Sequence, residues 1–255
     1  MSAWILLRGL TREARHWGVL PQHLADTFDG ARVLSIDLPG NGEFARLRSS
    51  CSVADMVGFV RHVVFESGVP GPYRVLAMSL GGMVATDWAQ RHPHEIESLV
   101  LINSSMRPFN RPHERLRPRA WPVLMRVIAH WRDACAAESA IHAMTCNNRH
   151  TLAADIDAWA AIRRSAPVTR LNALRQLTAA ATFRAAAQPP ACRTLILSSA
   201  ADGLVDPACS ASVAAAWCAP HRQHASAGHD IPHDDPAWIV AQLRDVLRQF
   251  PANEN

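Results

Sequence analysis

Six residues, Ala77-Met78-Ser79-Leu80-Gly81-Gly82, constrain this chain more than any other segment. The apolar run Tyr73 to Met78 reads as a buried strand, and the stretch after Ser79 reads as a helix that stops at Pro93. A strand that turns into a helix across one residue strains that residue. It also crowds the positions two before and two after it, which must be small. Ala77 and Gly81 meet that demand. Such a turn lifts the Ser79 hydroxyl above the sheet edge. It sets the Leu80 amide at a helix amino terminus, where free N–H groups stabilise developing negative charge.

Around this turn, strands and helices alternate, which predicts a mostly parallel sheet covered on both faces. Trp4 to Leu7, Ala31 to Ile36, Tyr73 to Met78, Leu99 to Ile102 and Thr194 to Leu197 read as strands, with a weaker one near His221 to Ala225. Ser52 to Ser67 reads as a helix, with Ser52 as cap and Asp55 completing a capping box. Asp206 and Pro207 open another. Asp235 and Pro236 open the last, with Ile239, Leu243, Val246, Leu247 and Phe250 on one face.

Residues 107–188 break the rhythm, with no convincing strand and helices expected at Pro122 to Cys135, Ala136 to Cys146, Thr151 to Ser165 and Thr169 to Ala187. The expected organisation is a core of residues 1–106 and 189–255, with a helical cap at 107–188. At 255 residues the chain is long enough to bury a large single core.

Composition excludes several chemistries. All 26 basic residues are Arg, so a lysine Schiff base, a pyridoxal-phosphate anchor and a P-loop lysine are ruled out. None of the six cysteines forms a C-x-x-C pair, which removes zinc-ribbon and thioredoxin-type readings. A net charge of +4 and 6% aromatic residues do not indicate nucleic-acid binding. No apolar run reaches the roughly 18–20 residues of a membrane span, and the first residues lack a basic start, so a cytoplasmic protein is expected.

With these segments in view, the chain resembles the α/β-hydrolase superfamily, and within it the small bacterial carboxylesterases that include pimeloyl-ester esterases. Five segments carry the resemblance, in family order. Arg8-Gly9-Leu10 stands where these enzymes carry His-Gly-x. Asp37-Leu38-Pro39-Gly40-Asn41-Gly42 is similar to their D-x-P-G-x-G loop, and the segment around Ser79 to their nucleophile turn. Asp202 to Pro207 is similar to the loop bearing the acid, and Gly228 to Pro232 to the loop bearing the histidine. The amino-terminal strand pair common in the family has no counterpart, so about six strands are expected.

The resemblance implies Ser79 as nucleophile, Asp202 as acid and His229 as base, in the order Ser, acid, His. His233 is the second candidate base. Asp206 is already engaged as a helix cap, and Asp230 adjoins His229 too closely to orient its ring. Some relatives place the acid one strand earlier, where this chain has Asn103. The amides of Leu10 and Leu80 are the expected oxyanion donors.

The implied reaction is hydrolysis of a carboxylic ester or thioester through an acyl-enzyme, with no metal or organic cofactor. Carbon–carbon bond hydrolases and perhydrolases share the same triad, and a non-catalytic binding protein is the rival from another class. Arg8, Trp121, Met125, Trp131, Met144 and Trp159 are candidate substrate-binding residues, although at helical spacing the cap residues serve equally as cap core. Arg107, Arg111, Arg115, Arg117 and Arg119 form either a solvated basic face or a docking patch for an acidic partner, an acyl carrier protein or coenzyme A bearing the substrate.

Overall fold

The structure is a computed structural model that describes residues 2–249. Six strands form one wholly parallel sheet: β1 (Trp4–Leu7), β2 (Val33–Ile36), β3 (Tyr73–Met78), β4 (Ile96–Ile102), β5 (Arg193–Ser199) and β6 (His221–His224), in the order β2-β1-β3-β4-β5-β6. Parallel strands need covered faces, and the period-2 alternation of side chains supplies two separate cores. Ile5, Leu7, Val75, Ala77, Leu99, Leu101 and Ile196 face one side. There they pack against α2 (Val53–Glu66), α3 (Leu80–Arg91) and α9 (Ala208–Trp217). Trp4, Leu6, Leu76, Met78, Val100, Ile102, Leu195 and Leu197 face the other, against α1 (Leu20–Thr27) and α11 (Pro236–Gln249).

Between β4 and β5 lie α4 (Pro112–Arg115), α5 (Trp121–Ala129), α6 (Ala134–Thr145), α7 (Leu152–Ser165) and α8 (Arg170–Thr182). The two ends of this segment meet where Arg107 bridges Arg184 and the Ala185 N–H donates to the Arg107 carbonyl at 2.8 Å. A four-residue helix, α10 (Ile231–Asp234), precedes α11.

The six strands expected from sequence are present, with ends shifted by up to three residues. The sequence does not announce α1, because its amino end has no side-chain cap and only Leu20 and Leu24 are buried on it. Ser52 caps α2 as expected, but the Asp55 carboxylate takes the Ser50 hydroxyl at 2.7 Å, and Ser50 in turn accepts from the Ser52 N–H at 3.0 Å. The capping box is therefore closed through a relay. Ile239 and Leu243 are buried and Val246 half-buried on α11 as expected; the Leu247 side chain and Phe250 lie outside the described residues.

The register aligns the carboxyl ends of the strands. Leu7 pairs with Ile36 and Ala77, Met78 with Ile102, Ile102 with Leu197, and Ser199 with His224. The loops after β1, β3, β4, β5 and β6 therefore open on one edge, where ligands of parallel α/β sheets bind.

Candidate active site

Ser79 stands between Met78, the last residue of β3, and Leu80, the first of α3. Its backbone lies at φ 53°, ψ −119°, a conformation costly for a side chain with a Cβ. The turn is locked from both sides: the Ser79 N–H donates to the Ile102 carbonyl at 3.1 Å, and its carbonyl accepts from Met83 N–H at 3.2 Å. Any Cβ on Gly81 would overlap the Leu7 and Arg8 carbonyls, so the first turn of α3 presses directly on the end of β1. Gly9 lies beside Ser79, because a Cβ there would stand 3.1 Å from the Ser79 Cβ and 3.5 Å from its Oγ. While Leu80 and Met78 are buried, Ser79 keeps a half-exposed position.

The loops after β5 and β6 bring Asp202 and His229 together. His229 Nδ1 and Asp202 Oδ2 are 2.7 Å apart, and both residues are buried, at 3% and 1% exposure. The second oxygen of Asp202 accepts from the N–H groups of Leu204 at 2.8 Å and Val205 at 3.0 Å. With all these donors the carboxylate has a fixed orientation and can fix the imidazole tautomer. Asp206 stands one residue before Pro207, the cap position of α9, and its carboxylate accepts from the Ala208 N–H at 3.0 Å.

Three further pairings steady this site, and none of them is legible in sequence. Asn103, in the left-handed region at φ 44°, donates to the His229 carbonyl at 2.7 Å and accepts from the Ser199 N–H at 2.9 Å. It joins the ends of β4 and β5 to the histidine loop. Arg117 and Arg119 each donate to the Asp202 carbonyl, at 3.1 and 2.9 Å. Arg8, 2% exposed, meets the 2% exposed Asp230 in a two-pronged ion pair at 3.0 and 2.5 Å, with its guanidinium 4.8 Å from the Trp17 ring centre. Burial opposes charge on Asp230, but the Arg8 guanidinium, with Arg12 behind it, outweighs burial and holds the carboxyl below its usual range.

The loop after β1 is held from two directions. The Thr11 N–H donates to Gln176 of α8 at 2.9 Å, and Gln176 donates to Asn41 Oδ1 at 2.8 Å. Asn41 closes the circuit by donating to the Arg12 carbonyl at 2.8 Å. Leu10 is partly buried against the core on the α2 and α3 side.

The other sequence candidates scatter. Trp121 and Met125 lie on the exposed face of α5, at 54% and 58% exposure. Trp131 is half-buried, stacked on Arg163 and donating to the Val168 carbonyl at 3.2 Å. Met144 is half-buried, its carbonyl beside Gly203 in the acid loop. Trp159 is buried, with its ring 5.0 Å from His233 and 4.5 Å from the Arg12 guanidinium. Among the arginines, Arg111 is exposed, while Arg107 and Arg115 each donate to a carbonyl of the α8 region, Thr182 and Ala180, at 2.6 Å.

The Hydrolase_4 family, described as serine aminopeptidase S33, matches residues 5–233. The chain belongs to the Hydrolase_4 family. A pimeloyl-[acyl-carrier protein] methyl ester esterase of Chromobacterium violaceum is 34% identical over 89 residues, covering 34% of this chain and 29% of that protein. The Hydrolase_4 chain thus spans less than a third of that relative in the match. A second relative, the 2-succinyl-6-hydroxy-2,4-cyclohexadiene-1-carboxylate synthase of Citrobacter koseri, is 26% identical over 97% of this chain and 94% of its own. Among solved structures, the enol-lactonase from Burkholderia xenovorans LB400 superposes with a TM-score of 0.76 at 19% identity, covering 97% of this chain and 92% of that one. The fold is that of the α/β-hydrolases. Among the described residues, no helix is long and apolar enough to cross a membrane.

Proposed function

We propose that this Hydrolase_4 chain cleaves a carboxylic ester or thioester through an acyl-enzyme on Ser79. The observation that carries the reading is the buried 2.7 Å contact of His229 with Asp202, on the same sheet edge as a serine in strained backbone. In the reaction, Ser79 Oγ attacks the acyl carbon while His229 takes its proton. The proton then passes to the leaving alcohol or thiol, and water releases the acyl group by the same base. Asp202 orients the imidazole and stabilises its charged form. The Leu80 amide, at the start of α3, and the Leu10 amide receive the oxyanion.

In this reading α4 to α8 act as a cap over residues 107–188. Met144 and Trp159 are the candidate acyl-contacting residues on its inner side, with Trp121, Met125 and Trp131 further out. The pimeloyl-[acyl-carrier protein] methyl ester esterase relatives support an ester carried on an acyl carrier protein. Arg111 and Arg119 are the exposed cations of the patch, and a guanidinium has five N–H donors, so bonds to this chain's own carbonyls do not exhaust it.

The test is release of p-nitrophenol from a short-chain ester by wild type and Ser79→Ala. Turnover in the wild type alone supports the reading; equal turnover in both overturns it. A carrier-bound acyl ester then tests the patch. Raising salt from about 50 to 300 mM should weaken its use and leave the small neutral ester unaffected, because salt screens attraction between exposed charges and not contacts between uncharged groups.

The whole-length match to the Citrobacter koseri synthase favours a second reading, carbon–carbon bond chemistry with the same three residues. A burst of p-nitrophenol with an ester would show that Ser79 is acylated and favour the first reading, whereas turnover of a carbon–carbon substrate with no activity on esters would favour this one.

A further inference from the structure

The last turn of α6 runs His142-Ala143-Met144-Thr145, and Cys146 stands next, at its cap. The i, i+4 spacing puts His142 and Cys146 on one helix face. Two other elements converge there: α7 brings Asp155, and α10 brings His233. One ligand-capable atom from each of His142, Cys146 and His233 lies within 4.8 Å of the others. Asp155 Oδ2 lies 3.4 Å from Nε2 of His142 and 3.2 Å from Nε2 of His233. Trp159 covers the group, with its ring centre 5.3 Å from that of His142 and 5.0 Å from that of His233.

His142 is the feature without a structural explanation. It is wholly buried, and among the described residues neither ring nitrogen has a hydrogen-bond partner. Its Nε2 approaches Asp155 Oδ2 without the alignment of a hydrogen bond. A buried imidazole left so is unfavourable unless something meets its lone pair. The residues around it are a thiol, a second imidazole and a carboxylate, all of them ligands.

We propose that His142, Cys146 and His233, with Asp155 closing the set, bind one zinc-type divalent ion. Two nitrogens, one sulfur and one oxygen suit zinc, whereas magnesium and calcium take all-oxygen sets. Standard bond lengths put the ligand atoms of a tetrahedral zinc about 3.3–3.6 Å apart, so the cluster must draw in by about 1 Å. His233 and Asp155, with side chains 17% and 15% exposed, leave it open to solvent on one side. Four protein ligands leave no open position, so the ion is structural. It ties α6 and α7 to α10, where His233 stands four residues beyond His229. No metal is legible in the sequence, because these ligands come from three elements and leave no C-x-x-C signature.

The test uses the full chain, stripped with a chelator and titrated with cobalt(II), then zinc(II). The expected result is one cobalt per chain, with a thiolate-to-cobalt charge-transfer band and the intense visible bands of tetrahedral cobalt. One equivalent of zinc should bleach both, and zinc should raise the melting temperature. Cys146→Ser should lose the charge-transfer band, and Cys51→Ser, at the surface, should keep it. His233→Gln, at a half-buried position, should weaken zinc binding at least about 100-fold with unchanged circular dichroism. It decides the matter if Cys146→Ser fails to fold. Absence of the sulfur band in the wild type, a band that survives Cys146→Ser, or unaltered binding by His233→Gln overturns the proposal. Ester turnover plays no part in the readout, so this site and the proposed activity fail separately.

Discussion

Arg8 and Asp230 lie 222 residues apart in sequence and form a buried two-pronged ion pair at 3.0 and 2.5 Å. Arg8 belongs to the loop after β1, and Asp230 comes directly after His229. The pair therefore fixes the histidine loop against the loop that carries Leu10. It also answers the charge that Arg8 brings to this buried loop, since the guanidinium faces a carboxylate.

Removing one partner strands the other. Arg8→Ala should destabilise the chain by about 3–5 kcal/mol, because Asp230 is left charged and buried. Replacing both, as Arg8→Met with Asp230→Leu, should recover most of that loss. Urea denaturation of the two variants checks this. A double variant as unstable as the single one would mean that the pair matters through packing, not charge.

Ser79 should show a separation of activity from stability. Ser79→Ala keeps the Cβ and hence the strain, so turnover should fall by roughly 10⁴–10⁶ with the melting temperature little changed. Ser79→Gly removes the Cβ at φ 53° and should stabilise by about 1 kcal/mol while also abolishing turnover. Calorimetry beside the ester assay measures both. Destabilisation by Ser79→Gly would show that the elbow is not strained.

The range of each interaction decides how legible it is in sequence. Ser79 can be read because an elbow constrains its immediate neighbours, Ala77 and Gly81. Asp202 and His229 can be proposed because the resemblance marks the loops that carry them, each after a strand. Their supports cannot. Asn103 to His229 spans 126 residues and Arg119 to Asp202 spans 83, and neither partner leaves a local pattern. In sequence Asp230 is only a rival acid, and Arg117 and Arg119 belong to a basic stretch that reads as a solvated face or a docking patch, not as supports of Asp202. The helices between β4 and β5 are visible but their ends drift; α5 stops at Ala129, where the expected helix runs to Cys135, because Asp133 caps α6 by accepting from the Ala136 N–H at 3.0 Å.

Asp202 and Asn103 should fail differently. Asp202→Asn leaves the shape intact but loses the charge that sets the His229 tautomer, so kcat should fall by about 10⁴. Asn103→Ala removes a donor to the His229 carbonyl and an acceptor for Ser199 N–H. It should cost about 1–3 kcal/mol of stability, with kcat lowered more than KM is raised. Steady-state kinetics with urea unfolding separates them. Full activity in Asp202→Asn would move the acid elsewhere.

Acid should weaken the fold well above the carboxylate range. Burial, with Arg12 and Arg8 beside it, holds His16 well below the ordinary imidazole value. His142 is lowered by burial and by His233, and His221 by burial and by Arg222. For each, the folded pKa lies below the unfolded one, so between the two the unfolded chain binds more protons. The stability they contribute is therefore whole above about pH 6.5 and is lost as pH falls below it, with a slope of up to about 1.4 kcal/mol per pH unit for each site. The urea midpoint, measured with a chelator present, should drop between about pH 7.5 and 5.5. His16→Gln should flatten that drop, because glutamine fills the buried position without a proton to gain. An equal drop in the variant would assign the pH dependence to His142 and His221 alone.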